Sequence, residues 1–280
     1  MKRSKKSELL VLFRRTLIFN IIRAKYDYYL KKDKKKIKNV LITGAAGGLG
    51  RLLAIHYAED GYNVIGLDIK SEEQLDPKLS NSLVQFFEFD LRNIDGIEQM
   101  LKGLFEKHKH IDLLINNAGV MNFKALNDYD IREIKDMVDV NLTSILALIK
   151  SILPLMINQN FGRIINVSSK SAFQGEDKFV IYSSTKIALI LLSDSVAKLI
   201  RNQYWQNNVT INAIAPDRVD TPEYIKENPG TNPKKLISTK RIYNKIQRIV
   251  QSEVNGDTFP VFSLWKRFSF LLQFLRKLFI

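Results

Sequence analysis

Val40-Leu41-Ile42-Thr43-Gly44-Ala45-Ala46-Gly47-Gly48-Leu49-Gly50 is an apolar run that stops in a glycine-rich turn, and helical spacing resumes over Leu49–Asp60. A short run that is apolar at every position, rather than at alternate ones, is what a strand buried on both faces looks like. The turn needs residues without bulk so that the backbone can come close to a pyrophosphate. The helix that follows offers free N–H groups and the positive end of its dipole to the same phosphates. In this strand–turn–helix context the spacing of Gly44, Gly48 and Gly50, with Leu49 between them, predicts a dinucleotide site.

Outward from that turn the chain alternates. Strands are expected at Tyr62–Leu67, Leu83–Phe89, Ile111–Asn116, Gly162–Val167 and Val209–Ile214, with a last short one near Phe259–Phe262. Helices are expected at Ile94–Lys107, over a long stretch from Ile131 to Ile157, and at Ile181–Arg201. Residues 222–255 read as polar and partly helical, with a loop at Pro229, Gly230 and Pro233. Apolar strands separated by helices predict an α/β fold, a Rossmann-type doubly wound parallel sheet with helices on both faces, over residues 39–262. Asp68 closes the second strand. A carboxylate there accepts both hydroxyls of an adenosine ribose and repels a 2′-phosphate, so NAD(H) is the expected cofactor. Lys70 softens the repulsion and leaves NADP(H) as the alternative.

The chain has 280 residues, no cysteine and three scattered histidines. Disulfides and thiolate chemistry are excluded, and no metal-ligand spacing is present. The net charge of +14 is unevenly placed. Residues 1–39 carry 14 Lys/Arg against three acids, a net +11, and residues 260–280 carry +4, which leaves −1 for the body. A nucleic-acid binder would carry its basic patch on the folded domain, so no nucleic-acid partner is expected. Both basic ends are also apolar. Residues 1–38 form an amphipathic extension and linker that Arg14 and Arg15 keep from being a membrane span. Residues 263–280 place Leu264, Phe268, Leu271 and Leu275 on one side of a helix and Lys266, Gln273 and Lys277 on the other, the pattern of an interfacial binder. These ends predict a cytoplasmic protein held peripherally at an anionic membrane surface.

Tyr182 and Lys186 are four apart on a predicted helix and share a face. A free tyrosine is a poor base at neutral pH, and a neighbouring ammonium favours its phenolate. Such a tyrosine can exchange a proton with an alcohol or carbonyl oxygen.

The glycine turn of residues 43–50, Asp90-Leu91, Asn116-Asn117-Ala118-Gly119, Asn141, Ser169 and Tyr182-Ser183-Ser184-Thr185-Lys186 together resemble the short-chain dehydrogenase/reductase family, in its compact single-domain branch, over about Lys38 to Pro222. The resemblance implies Tyr182 as general acid/base, Ser169 bonded to the substrate oxygen, Lys186 on the nicotinamide ribose, and Asn141 holding a relay water. It also implies Asp90 and Leu91 flanking the adenine, Asn117, Ala118 and Gly119 lining the cofactor floor, Thr221 at the carboxamide, and a homodimer or tetramer. Ser168 is read as capping its strand. One departure is Pro216-Asp217, where the family has Pro-Gly and a backbone that passes close to the nicotinamide; Asp217 predicts an altered loop. The function implied is an NAD(H)-dependent oxidoreductase interconverting a secondary alcohol and a ketone; an apolar or lipid-linked substrate is expected from the apolar, basic ends. The alternatives are a soluble carbohydrate or polyol reductase whose ends mediate oligomerisation, and a non-catalytic nucleotide-binding scaffold. The presence of Ser169, Tyr182 and Lys186 together argues against the scaffold.

Overall fold

The structure, a computed structural model, describes residues 37–261 apart from 81, 175 and 176. Its strands are β1 (Asn39–Thr43), β2 (Asn63–Asp68), β3 (Val84–Glu88), β4 (Leu113–Asn116), β5 (Gly162–Val167), β6 (Val209–Pro216) and β7 (Thr258–Val261). All pair in parallel, in the order β3-β2-β1-β4-β5-β6-β7. The helices are α1 (Gly48–Glu59), α2 (Ile97–His108), α3 (Ile131–Val138), α4 (Ser144–Asn158), α5 (Val180–Gln203), α6 (Pro222–Glu227) and α7 (Thr239–Val250).

Strand side chains alternate between two cores, because successive residues point to opposite faces. Val40 and Ile42 pack with Leu53 and Tyr57 of α1 and Ile242, Ile246 and Ile249 of α7. Leu41 faces the other way, onto Leu101 and Leu104 of α2, Leu148 and Ile152 of α4, and Leu189 of α5. Every residue of β1 is therefore buried, and the continuous apolar run has its explanation. The helices α1 and α7 cover one face and α2, α4 and α5 the other. The strand order reverses between β1 and β4, and the crevice beyond their carboxyl ends is where such sheets bind ligands.

Two expectations are refined. The helix expected from Ile131 to Ile157 is interrupted by a π-helical turn, Asp139–Thr143, with Asn141 fully buried in it. Single π-turns inside helices cluster at functional sites. The polar stretch after Pro216 contains α7, whose Ile242, Ile246 and Ile249 are fully buried although basic residues surround them in sequence.

Ile131–Asn158 and Val180–Gln203 are long and apolar enough to cross a membrane by length and composition. Leu148, Ile152, Leu189 and Ile200 of these segments are buried in the core beneath the sheet, which accounts for their apolar character. The basic amphipathic segments expected at 1–38 and 263–280 lie outside the described residues, save Ile37 and Lys38. Lys38 donates its backbone N–H to Asp112 at 2.9 Å.

Candidate active site

The glycine turn is locked by its neighbours. Gly44 has φ of +66°, a conformation that L side chains avoid. Its backbone N–H donates to the Leu67 carbonyl at 2.8 Å, which ties the turn to β2. Asn117 donates its amide to the Thr43 carbonyl at 3.0 Å and the Gly44 carbonyl at 3.3 Å. Thr43 Oγ1 accepts the backbone N–H groups of Asn117 and Ala118, both at 3.0 Å. These bonds clamp the ends of β1 and β4 together. A Cβ on Gly50 would stand 2.1 Å from the Gly44 carbonyl oxygen, so α1 reaches this turn only because residue 50 has none.

Two cavities open here, of about 320 and 420 Å³, sharing Gly44, Asp68, Ala118 and Gly119 in their walls. The first also takes in Gly48, Leu49, Asn117 and Lys70. Asp90, Leu91 and Arg92 line the second. A backbone floor of glycine and alanine, a helix N-terminus and an acid at the rim fit a dinucleotide. Asp68 is partly engaged by the protein itself: one oxygen accepts the Ala46 N–H at 2.8 Å and the other the Lys70 N–H at 3.2 Å. Arg92 grips Asp90, at 2.6 Å from one oxygen, and reaches Asp136 of α3 at 3.3 Å. The guanidinium holds the Asp90 carboxyl below its ordinary value.

Gly119 joins these cavities to the cluster of Lys186, Asn141 and Tyr182. A Cβ there would stand 3.2 Å from Lys186 Nζ and 3.3 Å from Asn141 Oδ1. Lys186 is 3% exposed; it donates to the Val167 carbonyl at 2.9 Å, and its ammonium lies 5.6 Å from the centre of the Tyr182 ring. Burial pulls its pKa down to about 8. Burial pushes the Tyr182 phenol above its ordinary value, and a hydrogen bond with Ser169 offsets part of that rise. The expected depression of Tyr182 by Lys186 gives way to a net rise set by desolvation, and the Lys186 ammonium is bonded to the Val167 carbonyl.

Asn141 has its side chain fully committed. Its Oδ1 accepts the Val120 N–H at 2.7 Å, and its amide donates to the Val120 carbonyl at 2.9 Å and to Thr185 Oγ1 at 3.2 Å. Ser168 donates its hydroxyl to the Lys186 carbonyl at 2.7 Å, pinning α5 to β5 rather than closing its own strand. Thr221 caps α6, its oxygen accepting the Tyr224 N–H at 3.2 Å. Asp217 keeps a negative φ, since Lys109 and Asn160 are the described non-glycine residues with positive φ. Its carboxylate stands 3.9 Å from the Lys170 ammonium, next to Ser169. The site residues expected from sequence therefore fall into a glycine-floored group and a group around Tyr182 and Lys186 on either side of Gly119, with Thr221 at the start of α6.

Sequence reasoning missed Gly47, Arg92, Val120 and Asp136 in the cavity walls. Arg92 and Val120 adjoin motif residues and were within reach of a closer reading. Asp136 is brought in by packing of α3, which no local pattern announces.

The short chain dehydrogenase family model matches residues 38–231. An uncharacterized oxidoreductase of Staphylococcus aureus (strain NCTC 8325 / PS 47) is 30% identical over 201 residues, 71% of this chain and 85% of that protein. Among solved structures, 4-hydroxyisoleucine dehydrogenase complexed with NADH is 24% identical, over 81% of this chain and 98% of that one, with a TM-score of 0.69. ElxO with NADP bound is 23% identical, over 81% and 97%, with a TM-score of 0.71. These two are likenesses of fold.

Proposed function

The chain belongs to the short-chain dehydrogenases and is an NAD(P)-dependent oxidoreductase, and from that premise we propose that it interconverts a secondary alcohol and a ketone, with Tyr182 moving the proton. The observation that carries the proposal is the Lys186 ammonium 5.6 Å from the centre of the buried Tyr182 ring, with Ser169 close enough to the phenol to draw its pKa down.

A nicotinamide cofactor supplies or accepts the hydride. Gly44, Gly48, Leu49, Gly50, Asn117, Ala118 and Gly119 form its backbone floor; Asp90 and Leu91 flank the adenine, and Thr221 meets the carboxamide. Asp68 takes the ribose hydroxyls, which favours NAD(H) over NADP(H).

Burial keeps the Tyr182 phenol protonated at neutral pH, the state that donates a proton to a carbonyl oxygen. Ser169 orients that oxygen. In the other direction Tyr182 takes a proton from the hydroxyl, and a Lys186 ammonium nearby favours the phenolate that must form. One Lys186 N–H is spent on Val167, and the others serve the nicotinamide ribose hydroxyls. The Asn141 carbonyl, in the π-turn, holds the water that relays protons past Lys186.

A homo-oligomer and association with an anionic membrane surface complete the proposal. Leu146 on α4 and Ile187 and Leu191 on α5 are apolar and exposed, Leu191 to 65%, and a second subunit would cover such a stripe. The charge at the two ends of the sequence supports the membrane surface.

The test is Tyr182→Phe, assayed with a panel of ketones and NADH. Turnover falls by a factor of 100 or more, in the range of lost general acid–base catalysis of about 10²–10⁴, while NADH binding stays within a few-fold. Wild-type turnover in the variant overturns the assignment.

A further inference from the structure

A row of aromatic rings leads from solvent to the reaction centre. Phe179, just before α5, lies 6.1 Å from the Tyr182 ring at 54°. Phe123 meets Phe179 edge-on at 5.0 Å and 67°. Phe123 is nevertheless 63% exposed, and Val120 and Met121 on the same loop are exposed too. The loop is pinned in the three residues that lead into Phe123. Val120 is held by Asn141 through both its N–H and its carbonyl. The Tyr129 hydroxyl donates to the Asn122 carbonyl at 2.6 Å. Phe123 is therefore kept at the mouth of the site rather than buried beneath it. Lys178 stands over the Phe123 ring, 4.9 Å from its centre, a cation–π contact at the end of the row away from Tyr182.

We propose that Phe123 and Phe179 form an apolar subsite for the carbon body of the substrate. The substrate class is a ketone or secondary alcohol whose reacting carbon sits at Tyr182 and whose alkyl chain or ring lies along Phe179 and Phe123. The inference rests on the reading of Tyr182 as the acid/base. The geometry favours a substrate over another protein as the occupant, because the exposed Phe123 ring runs through the half-buried Phe179 ring to Tyr182 without a break. A small, polyhydroxylated substrate would leave the Phe123 ring in water. An alkyl chain laid along both rings removes apolar area from water on both sides, and each methylene so buried tightens binding by about fourfold.

The experiment uses the full-length protein saturated with NADH and a series of 2-alkanols from 2-butanol to 2-decanol as dead-end ligands. Binding is read by NADH fluorescence and so needs no turnover. Affinity rises steeply with chain length, approaching fourfold per methylene, until the chain outruns Phe123. Phe123→Ser flattens the dependence for the longer members and leaves the NADH Kd within twofold; Phe123→Leu restores most of the slope. Affinity independent of length, or a slope unchanged in Phe123→Ser, overturns the subsite. So does a Phe123→Ser variant whose only change is its mass in solution, which would make the row a contact between copies. Tyr182→Phe is assayed separately: if it keeps wild-type turnover while the length dependence holds, the catalytic assignment fails and the subsite stands.

Discussion

Replacing Gly50 by alanine tests the geometry of the cofactor turn directly. The new Cβ would fall 2.1 Å from the Gly44 carbonyl oxygen, 2.5 Å from the Asn117 amide nitrogen and 2.8 Å from the Gly44 carbonyl carbon. Two of these neighbours are backbone, so nothing swings aside at low cost. The first turn of α1 must retreat from Gly44 by nearly an ångström, and Asn117 must release one or both of its bonds to the Thr43 and Gly44 carbonyls. Overpacking of this kind costs about 1–3 kcal/mol, and a lost hydrogen bond about 1 kcal/mol more. The expected destabilisation is thus about 3 kcal/mol, or a Tm lower by roughly 6–12 °C for a domain of this size. NADH affinity falls with it, because the clamped turn is the floor of the site. Gly47→Ala is the matched control. Gly47 has an extended backbone, φ −139° and ψ 163°, and a Cβ there meets nothing within 4 Å. Its alanine variant keeps or slightly raises Tm through lower entropy of the unfolded chain. It still binds NADH less well, because residue 47 lines the cavity. Thermal unfolding followed by circular dichroism without cofactor, and NADH titration by fluorescence, separate the two effects. A Gly50→Ala protein with the Tm of wild type refutes the close approach on which the argument stands.

Cofactor choice depends on Asp68: wild type shows a lower KM for NADH than for NADPH, and Asp68→Ala narrows the gap. A wild-type preference for NADPH means that Lys70 or another cation governs the rim. Titration of Lys186 gives a pH signature. Its folded pKa of about 8 lies below the unfolded 10.5, so the folded state binds fewer protons between those values. The cost of burying the ammonium is full below about pH 8, and the stability contributed by this group rises with pH across the window. NADH affinity moves the opposite way, weakening several-fold above pH 8 as the ammonium that serves the ribose is lost. A flat NADH Kd from pH 7 to 9.5, or the same profile in Lys186→Met, contradicts this. Full-length protein binds anionic vesicles more tightly than neutral ones, each basic residue near the surface adding about 1 kcal/mol, and salt weakens the binding. Deleting residues 1–36 and 262–280 releases it; equal partitioning of full-length and truncated protein removes the membrane from the proposal.

Much of the candidate site was legible in the sequence because its pattern depends on local spacing. A glycine turn between a strand and a helix, an acid closing the next strand and a tyrosine one helical turn before a lysine are each written within about eight residues. The sheet was legible for the same reason: β1, β4 and β5 are buried on both faces, which favours a run of apolar residues through the middle of each strand, such as Val40–Ile42, Leu113–Ile115 and Ile164–Ile165. Helix α7 was harder to see, because only one of its faces is covered and basic residues fill the other.

Tertiary structure alone decided what lies far apart in sequence. The sign of the Tyr182 shift is one such quantity. Spacing placed Lys186 nearby, but desolvation depends on everything packed around the phenol, and the ammonium turned out to be bonded to the Val167 carbonyl. The π-turn at Asn141 and the commitment of its side chain to Val120 came from the meeting of two segments about twenty residues apart. The alignment of Phe123, Phe179 and Tyr182 spans about sixty residues and two loops. A residue's identity fixes which interactions it can make. Which of them it does make is settled by the neighbours the fold brings to it, and in a close-packed interior that choice excludes the others.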